Sequence, residues 1–232
     1  MTSEGIETRL ARVRERMAAA AERAGRRPED IDILPVTKGH PARAIEAVRA
    51  LGLERIGENR VGEAEGKRAE LGETPGLAWH MVGRLQRNKA RRAVRIFDAI
   101  ESVGRLKLAE TLSRIVEDEG RSRVEILVQV NASGEEAKGG LAPAETVDTV
   151  AEICALPGLA VAGLMTMAPY GADEATLREV FGRTRELGAR CEADIPAFEG
   201  RVLSMGMSDD FEVAIEEGST RVRLGTVLVG ER

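Results

Sequence analysis

Near the start of the chain, Ile6, Leu10, Val13 and Met17 recur at three- and four-residue intervals with Arg and Glu between them. That spacing lines apolar side chains along one face of a helix. It predicts a helix over 6–24 that Gly25 and Pro28 bring to an end. The period then changes. Ile33-Leu34-Pro35-Val36-Thr37-Lys38 is a short apolar run closed by Gly39-His40-Pro41, which reads as a buried strand running into a turn. Short apolar runs and helical periods alternate from there. Strands are predicted over 33–38, 55–59, 77–83, 98–103, 124–131, 160–167, 202–205 and 221–225. Helices are predicted from Pro41 to Leu51, through Leu71, and over 85–97, 106–119, 143–156, 174–192 and 209–217.

Strict strand–helix alternation implies a parallel sheet with right-handed crossovers. Eight such units predict an α/β fold of the (β/α)8 barrel type, in which chemistry gathers at the carboxyl ends of the strands. An open doubly wound sheet is the alternative, weakened because no GxGxxG follows the first strand. No Pro/Gly/Ser-rich linker divides the chain. It is expected to form one barrel domain over 1–232, with residues 1–27 as a helix packed on the barrel.

The 232 residues are 43% hydrophobic, 31% charged and only 3% aromatic, with a formal net charge of −5. Non-specific nucleic-acid binding calls for a basic surface, and single-strand binding for aromatic platforms as well; nucleic acid is therefore not an expected partner. Cys154 and Cys191 stand alone, without metal-ligand spacing, as in a reducing compartment. The charged N-terminal helix is neither a signal peptide nor a membrane span. A soluble, cytoplasmic protein with no membrane partner is expected.

The strand ends hold the candidate chemistry. Side chains alternate along a strand, so Leu34, Val36 and Lys38 share a face. One reading has Lys38 emerging into solvent, as most lysines do. The other has it at the mouth of an apolar pocket, where its neutral amine can form a Schiff base with an aldehyde. The stretch alone favours solvation. Ser204-Met205-Gly206-Met207-Ser208-Asp209-Asp210 leads from the seventh strand into a helix. Backbone N–H groups at such a turn, with the Ser208 hydroxyl, suit a phosphate; a plain Ser/Asp helix cap is the simpler reading. The eighth strand ends Arg223-Leu224-Gly225-Thr226, where Gly225 permits close approach and Thr226 adds a hydroxyl. Barrels often bind phosphate after strands seven and eight. Closure makes strands eight and one neighbours, which brings Arg223 toward Lys38. A lysine amine, a phosphate cradle and a partner for a ring nitrogen are what pyridoxal 5′-phosphate requires. Arg223, a permanent cation, would keep that nitrogen unprotonated and the ring a weak electron sink.

With these residues the chain resembles the YggS-type family of pyridoxal phosphate homeostasis proteins, single-domain relatives of the alanine racemase barrel (fold type III). The matching blocks are Val36-Thr37-Lys38, Gly57-Glu58-Asn59, Trp79-His80-Met81-Val82-Gly83, Leu85-Gln86-Arg87-Asn88-Lys89, Gln129-Val130-Asn131 and Gly163-Leu164-Met165, and, longest, 203–214 with 218–226. The resemblance implies that Lys38 carries the cofactor as an aldimine, that Ser208, Gly225 and Thr226 hold its phosphate, and that Arg223 faces the pyridine nitrogen. Asn59 would lie near the ring. Where the family has an aromatic and a Gln after Gly-Glu-Asn, this chain has Arg60 and Gly62; where it has an aromatic before the final Gly, Val229 stands.

Other residues carry competing readings. His80 is either a cofactor neighbour or a satisfied core histidine. Arg84, Arg87, Lys89, Arg91, Arg92 and Arg95 form a basic run that reads chiefly as a solvated helix face, with a phosphate-bearing or nucleic-acid partner as the lesser reading. Lys138 is a conceivable second acceptor of cofactor. Tyr170 falls in a loop, and Met165 and Met167 read as core or pocket wall. The chain stops soon after strand eight, and nothing in it supplies the second base that two-base racemisation needs. The expectation is a pyridoxal phosphate carrier in vitamin B6 homeostasis with no catalytic residue of its own, monomeric, delivering to apo-enzymes. A cofactor-dependent amino-acid enzyme and a class I aldolase are the alternatives.

Overall fold

The computed structural model describes residues 3–135 and 139–231; Lys138 lies outside them. In chain order the elements are α1 (Ser3–Arg23), β1 (Asp32–Pro35), α2 (Arg43–Ala50), β2 (Arg55–Glu58), α3 (Val61–Leu71) and β3 (Ala78–Met81). Then come α4 (Ala90–Ile96), β4 (Ala99–Val103), α5 (Leu106–Asp118), β5 (Val124–Gln129), α6 (Thr146–Cys154) and β6 (Leu159–Met165). The last are α7 (Glu174–Asp194), β7 (Val202–Ser204), α8 (Phe211–Glu216), β8 (Arg221–Leu224) and α9 (Thr226–Val229). All eight strands pair in parallel, in the order β1-β8-β7-β6-β5-β4-β3-β2. The two ends of that order meet through a parallel bridge between Val36 and Gly57, and the Thr37 N–H donates to the Gly57 carbonyl at 3.0 Å. The barrel is closed at this seam.

The main core lies between strands and helices and includes Ile56, Trp79, Ile100, Ile126, Val222 and Leu224. Two smaller apolar groups stand apart from it: Leu34 with Val36 and Val82, and Leu127 with Ala162, Met165 and Val202. Period-two alternation puts these side chains on the other face of the strands, inside the barrel. Met165 is fully buried, and Tyr170 is exposed.

Pairing shifts register between β5 and β6, where Ile126 opposes Val161 but Leu127 opposes Gly163. The extra residue is absorbed at Gly163, which has a φ of +158°. A Cβ there would collide with the Val202 carbonyl oxygen and sit 2.7 Å from the Val202 carbonyl carbon. Gly163→Ala is expected to lose about 1–3 kcal/mol, the usual cost of overfilling a packed interior. A lowered urea midpoint at unchanged slope would show it.

Helix α1 buries Ile6, Leu10, Val13, Met17, Ala20 and Ala21. Its arginines serve the chain's other end. Arg9 donates to the Leu228 and Val229 carbonyls at 2.8 and 3.1 Å, Arg16 holds Glu212 with two bonds of 2.7 and 2.8 Å, and Arg26, just beyond the helix, donates to the Ile215 and Ser219 carbonyls. Carbonyls at helix ends lack intrahelical partners, so these bonds tie α8 and α9 to α1. Among the described residues no helix is long and apolar enough to cross a membrane.

Three expectations need correction, and one element is new. Strand β1 ends at Pro35, not Lys38: past the Val36 bridge, Lys38 and Gly39 form a turn closed by the His40 N–H on the Thr37 carbonyl. The helix expected over 85–97 is a short 3-10 turn at Arg87–Lys89 followed by α4. The helix expected over 209–217 begins only at Phe211, because Asp210 turns its carboxylate back to the Met207 N–H. Helix α9 was not foreseen, four residues being too few for a period to register.

Candidate functional site

Lys38 is half-buried in the turn beyond β1, and the backbone on both sides of it is held. Lys67, reaching in from α3, donates to the Thr37 carbonyl at 2.7 Å, to Glu58 at 2.6 Å and to Glu63 at 2.8 Å. The Thr37 hydroxyl donates to the same Glu58 oxygen at 2.5 Å, and the Gly39 N–H donates to Glu63. Residues 37 and 39 are thereby clamped to one buried ammonium and its two carboxylates. Burial pushes the Glu58 carboxyl above its usual range, against the hydrogen bonds from Lys67 and Thr37. Gly39 has a φ of +75°, a conformation glycine adopts without steric cost.

The barrel interior below carries a second buried network, centred on Glu101 of β4. His80 Nδ1 lies 2.8 Å from Glu101 Oε1, Arg221 donates to the same oxygen at 2.9 Å, and the Ser204 hydroxyl donates to Oε2 at 2.6 Å. Burial alone would raise the Glu101 carboxyl, but the His80 contact, the Arg221 charge and the Ser204 hydroxyl together bring it down to about 2. His80 is thus a satisfied interior histidine. Arg223 is fixed through Ser204, donating to its carbonyl and hydroxyl at 2.6 and 2.9 Å and to the Thr166 carbonyl at 2.8 Å. Burial pulls its guanidinium below the ordinary value, with Glu101 and Asp210 opposing; an arginine nevertheless stays charged in a protein.

Strands β1 and β8 are in register with Leu34 opposite Arg223 and Pro35 opposite Leu224. The Lys38 turn therefore leaves the barrel on the side where Gly225 and Thr226 begin α9. Ser208 reaches the same corner: its hydroxyl accepts from the Val227 N–H at 3.3 Å. The N–H it accepts from lies in the first turn of α9, not of its own helix α8. Gly206, with a φ of +94°, lets the loop pass close to α8, where a Cβ would meet Ala214 at 2.6 Å. Lys38, Ser208, Arg223, Gly225 and Thr226 thus gather at the junction of β1, β7 and β8.

Asn59 stands just beyond β2, the strand that meets β1 at the barrel's seam. Gly83 packs on its backbone, a Cβ there falling 2.7 Å from the Asn59 Cα. Sequence reasoning missed Glu101, Ser204, Arg221, Glu58 and Lys67. A carboxylate in mid-strand between Ile100 and Val103 was the available signal for Glu101. Cys154 and Cys191 are free, and burial pushes both thiols up to about 11, which makes them poor nucleophiles.

Residues 8–232 match the family model described as the alanine racemase N-terminal domain. The pyridoxal phosphate homeostasis protein of Pseudomonas aeruginosa is 40% identical over 227 residues, spanning 98% of this chain and 96% of that one. The structure of PipY from Synechococcus elongatus with pyridoxal phosphate bound is 38% identical, with a TM-score of 0.85 over 97% of this chain and 100% of that one. Alanine racemase from Clostridium difficile superposes with a TM-score of 0.74 at 17% identity, covering 99% of this chain and 57% of that one; at that identity the likeness speaks for the barrel alone. The chain belongs to the alanine racemase N-terminal domain family, among its pyridoxal phosphate homeostasis proteins.

Proposed function

We propose that this protein binds pyridoxal 5′-phosphate at the junction of β1, β7 and β8 and acts in its homeostasis as a carrier. The observation that carries the reading is the gathering there of a half-buried lysine, a buried arginine and the Ser208–Val227 contact at the start of α9. When bound, the cofactor supplies an aldehyde that a lysine amine can capture and a phosphate that needs hydroxyls and backbone N–H groups. The residues present suit it. Lys38 offers the amine, on a turn whose backbone is clamped by Lys67 and Glu63. Ser208, Gly225 and Thr226 offer the phosphate cradle, and Asn59 borders the mouth where the ring would lie.

Arg223 favours holding over catalysis. Its guanidinium, pinned by Ser204 and Thr166, can donate a hydrogen bond to a ring nitrogen but, as a permanent cation, would not transfer its proton, so an electron pair placed on the ring would find a weak sink. The partners this reading implies are the cofactor and the apo-enzymes that receive it, with the protein working as a monomer in the cytoplasm.

The test is an absorption spectrum of the purified protein, then borohydride reduction and peptide mapping. The expected result is a yellow protein with reduced cofactor on the Lys38 peptide and a colourless Lys38→Ala variant. Label on another lysine, Lys138 included, would overturn the site. Turnover of a free amino acid that disappears in Lys38→Ala would replace the carrier with an enzyme.

A further inference from the structure

The basic run of the fourth unit divides in two. Arg91 and Arg95 both bind Glu119, and Arg92 binds Glu65, on the outer helical layer. Arg84, Arg87 and Lys89 turn instead toward a cavity of about 800 Å³ at the mouth of the barrel, above the ends of β2 to β5. Arg60, Arg105 and Lys107 line the same cavity. All six are exposed, and among the described residues none forms an ion pair, although twelve other arginines do. Among the described residues no carboxylate lines the cavity. Glu63, which feels the Arg60 charge, is already engaged by Lys67 and the Gly39 N–H. In a chain where acids outnumber Lys and Arg, 39 to 34, six cations without an ion pair among the described residues form a concentrated positive field around one concavity. A cleft of one sign attracts ligands of the other.

The cavity has the size of a small-molecule site, about 300–1,000 Å³. Met81, Leu85 and Leu108 give it an apolar lining below the cationic rim. Guanidinium groups match phosphate oxygens in paired hydrogen bonds. We infer that this cavity, which adjoins the Lys38 corner at Asn59, is a second binding site for a small organic polyphosphate: its phosphates lie among Arg84, Arg87 and Arg105, its less polar body on the apolar lining. The inference does not rest on what binds at Lys38.

Calorimetric titration of the purified protein with ATP in the absence of divalent metal tests it, with absorbance recording any cofactor throughout. Inorganic tripolyphosphate serves as the bare-phosphate probe. The expected result is one saturable site per chain for ATP, weaker binding as salt is added, and an unchanged cofactor spectrum. The triple variant Arg84→Ala/Arg87→Ala/Arg105→Ala should bind ATP at least tenfold more weakly, whereas Arg91→Ala/Arg95→Ala should match the parent. Tripolyphosphate should compete with ATP. Absence of saturable binding, equal loss in both variants, or displacement of cofactor by ATP would overturn the site. An RNA oligonucleotide that excludes ATP and binds far more tightly, with the same arginine dependence, would replace the small ligand with nucleic acid.

Discussion

Glu101→Ala is expected to destabilise the protein by about 3–5 kcal/mol, because it strips the counter-charge from a buried cation. Glu101 is fully buried, and Arg221 and Arg223 beside it are 3% and 4% exposed. Among the described residues Arg221 then keeps only Asp32 at 3.5 Å and Glu125 at 3.9 Å, and the Ser204 hydroxyl that steadies Arg223 loses its acceptor. Domains are stable by about 5–15 kcal/mol in total, so the variant should be marginal at 37 °C. The same residue sets an acid limit. Its carboxyl lies at about 2 in the folded protein against an ordinary 4.5. A depressed acid contributes stability that is complete above its unfolded value and fades as pH falls through the folded one. Between pH 5 and pH 2 the parent should therefore lose about 3 kcal/mol on this account, and Glu101→Ala should lack that part of the slope. Urea denaturation of both proteins across this range makes the comparison. A variant within 1 kcal/mol of the parent at pH 7, or one with the parent's full acid slope, would refute the assignment.

The order of the fold was legible because each element announces itself locally: a period of three to four for helices, a short apolar run for strands. The Lys38 corner was legible for a related reason, since a closed barrel makes the ends of strands one, seven and eight neighbours whatever their separation along the chain. What stayed hidden depends on distant pairings with no local signature. Glu101 and Arg221 are 120 positions apart, and neither strand reveals which way its polar residue points. Lys67 looks in sequence like another charge on a polar helix; only the packing of α3 against β2 buries it on Glu58. The basic run concealed its division because one helical period covers both the residues that pair with Glu119 and those that turn toward the cavity. The end of β1 was misjudged by three residues, since apolar character continues through Val36 while regular pairing does not.

The Lys67 clamp should show a pronounced asymmetry between its two members. Lys67→Met is expected to cost about 3–5 kcal/mol, as when one partner of a buried ion pair is removed and the other remains. It leaves Glu58, fully buried, and Glu63 facing each other with their shared donor gone. Glu58→Gln should cost much less. Burial already pushes Glu58 above its usual range, its Oε2 has no hydrogen-bond partner among the described residues, and Lys67 would keep Glu63 and the Thr37 carbonyl. An acid raised by burial is tolerated while protonated and becomes a burden as pH rises through its folded value. Loss of the Lys67 donor raises Glu58 further, so the Lys67→Met deficit should widen from pH 5 to pH 8. The double variant Glu58→Gln/Lys67→Met removes the buried carboxylate and should regain part of the loss, with a flatter pH dependence than Lys67→Met. A merely structural clamp would move stability alone. Because Lys67 and Glu63 hold residues 37 and 39, Lys67→Met should also release bound pyridoxal phosphate faster at 20 °C, where it is still folded, as read by transfer to an apo-enzyme. Release at the parent's rate would confine Lys67 to the fold; faster release that persists in the double variant would mark it as the residue that positions Lys38.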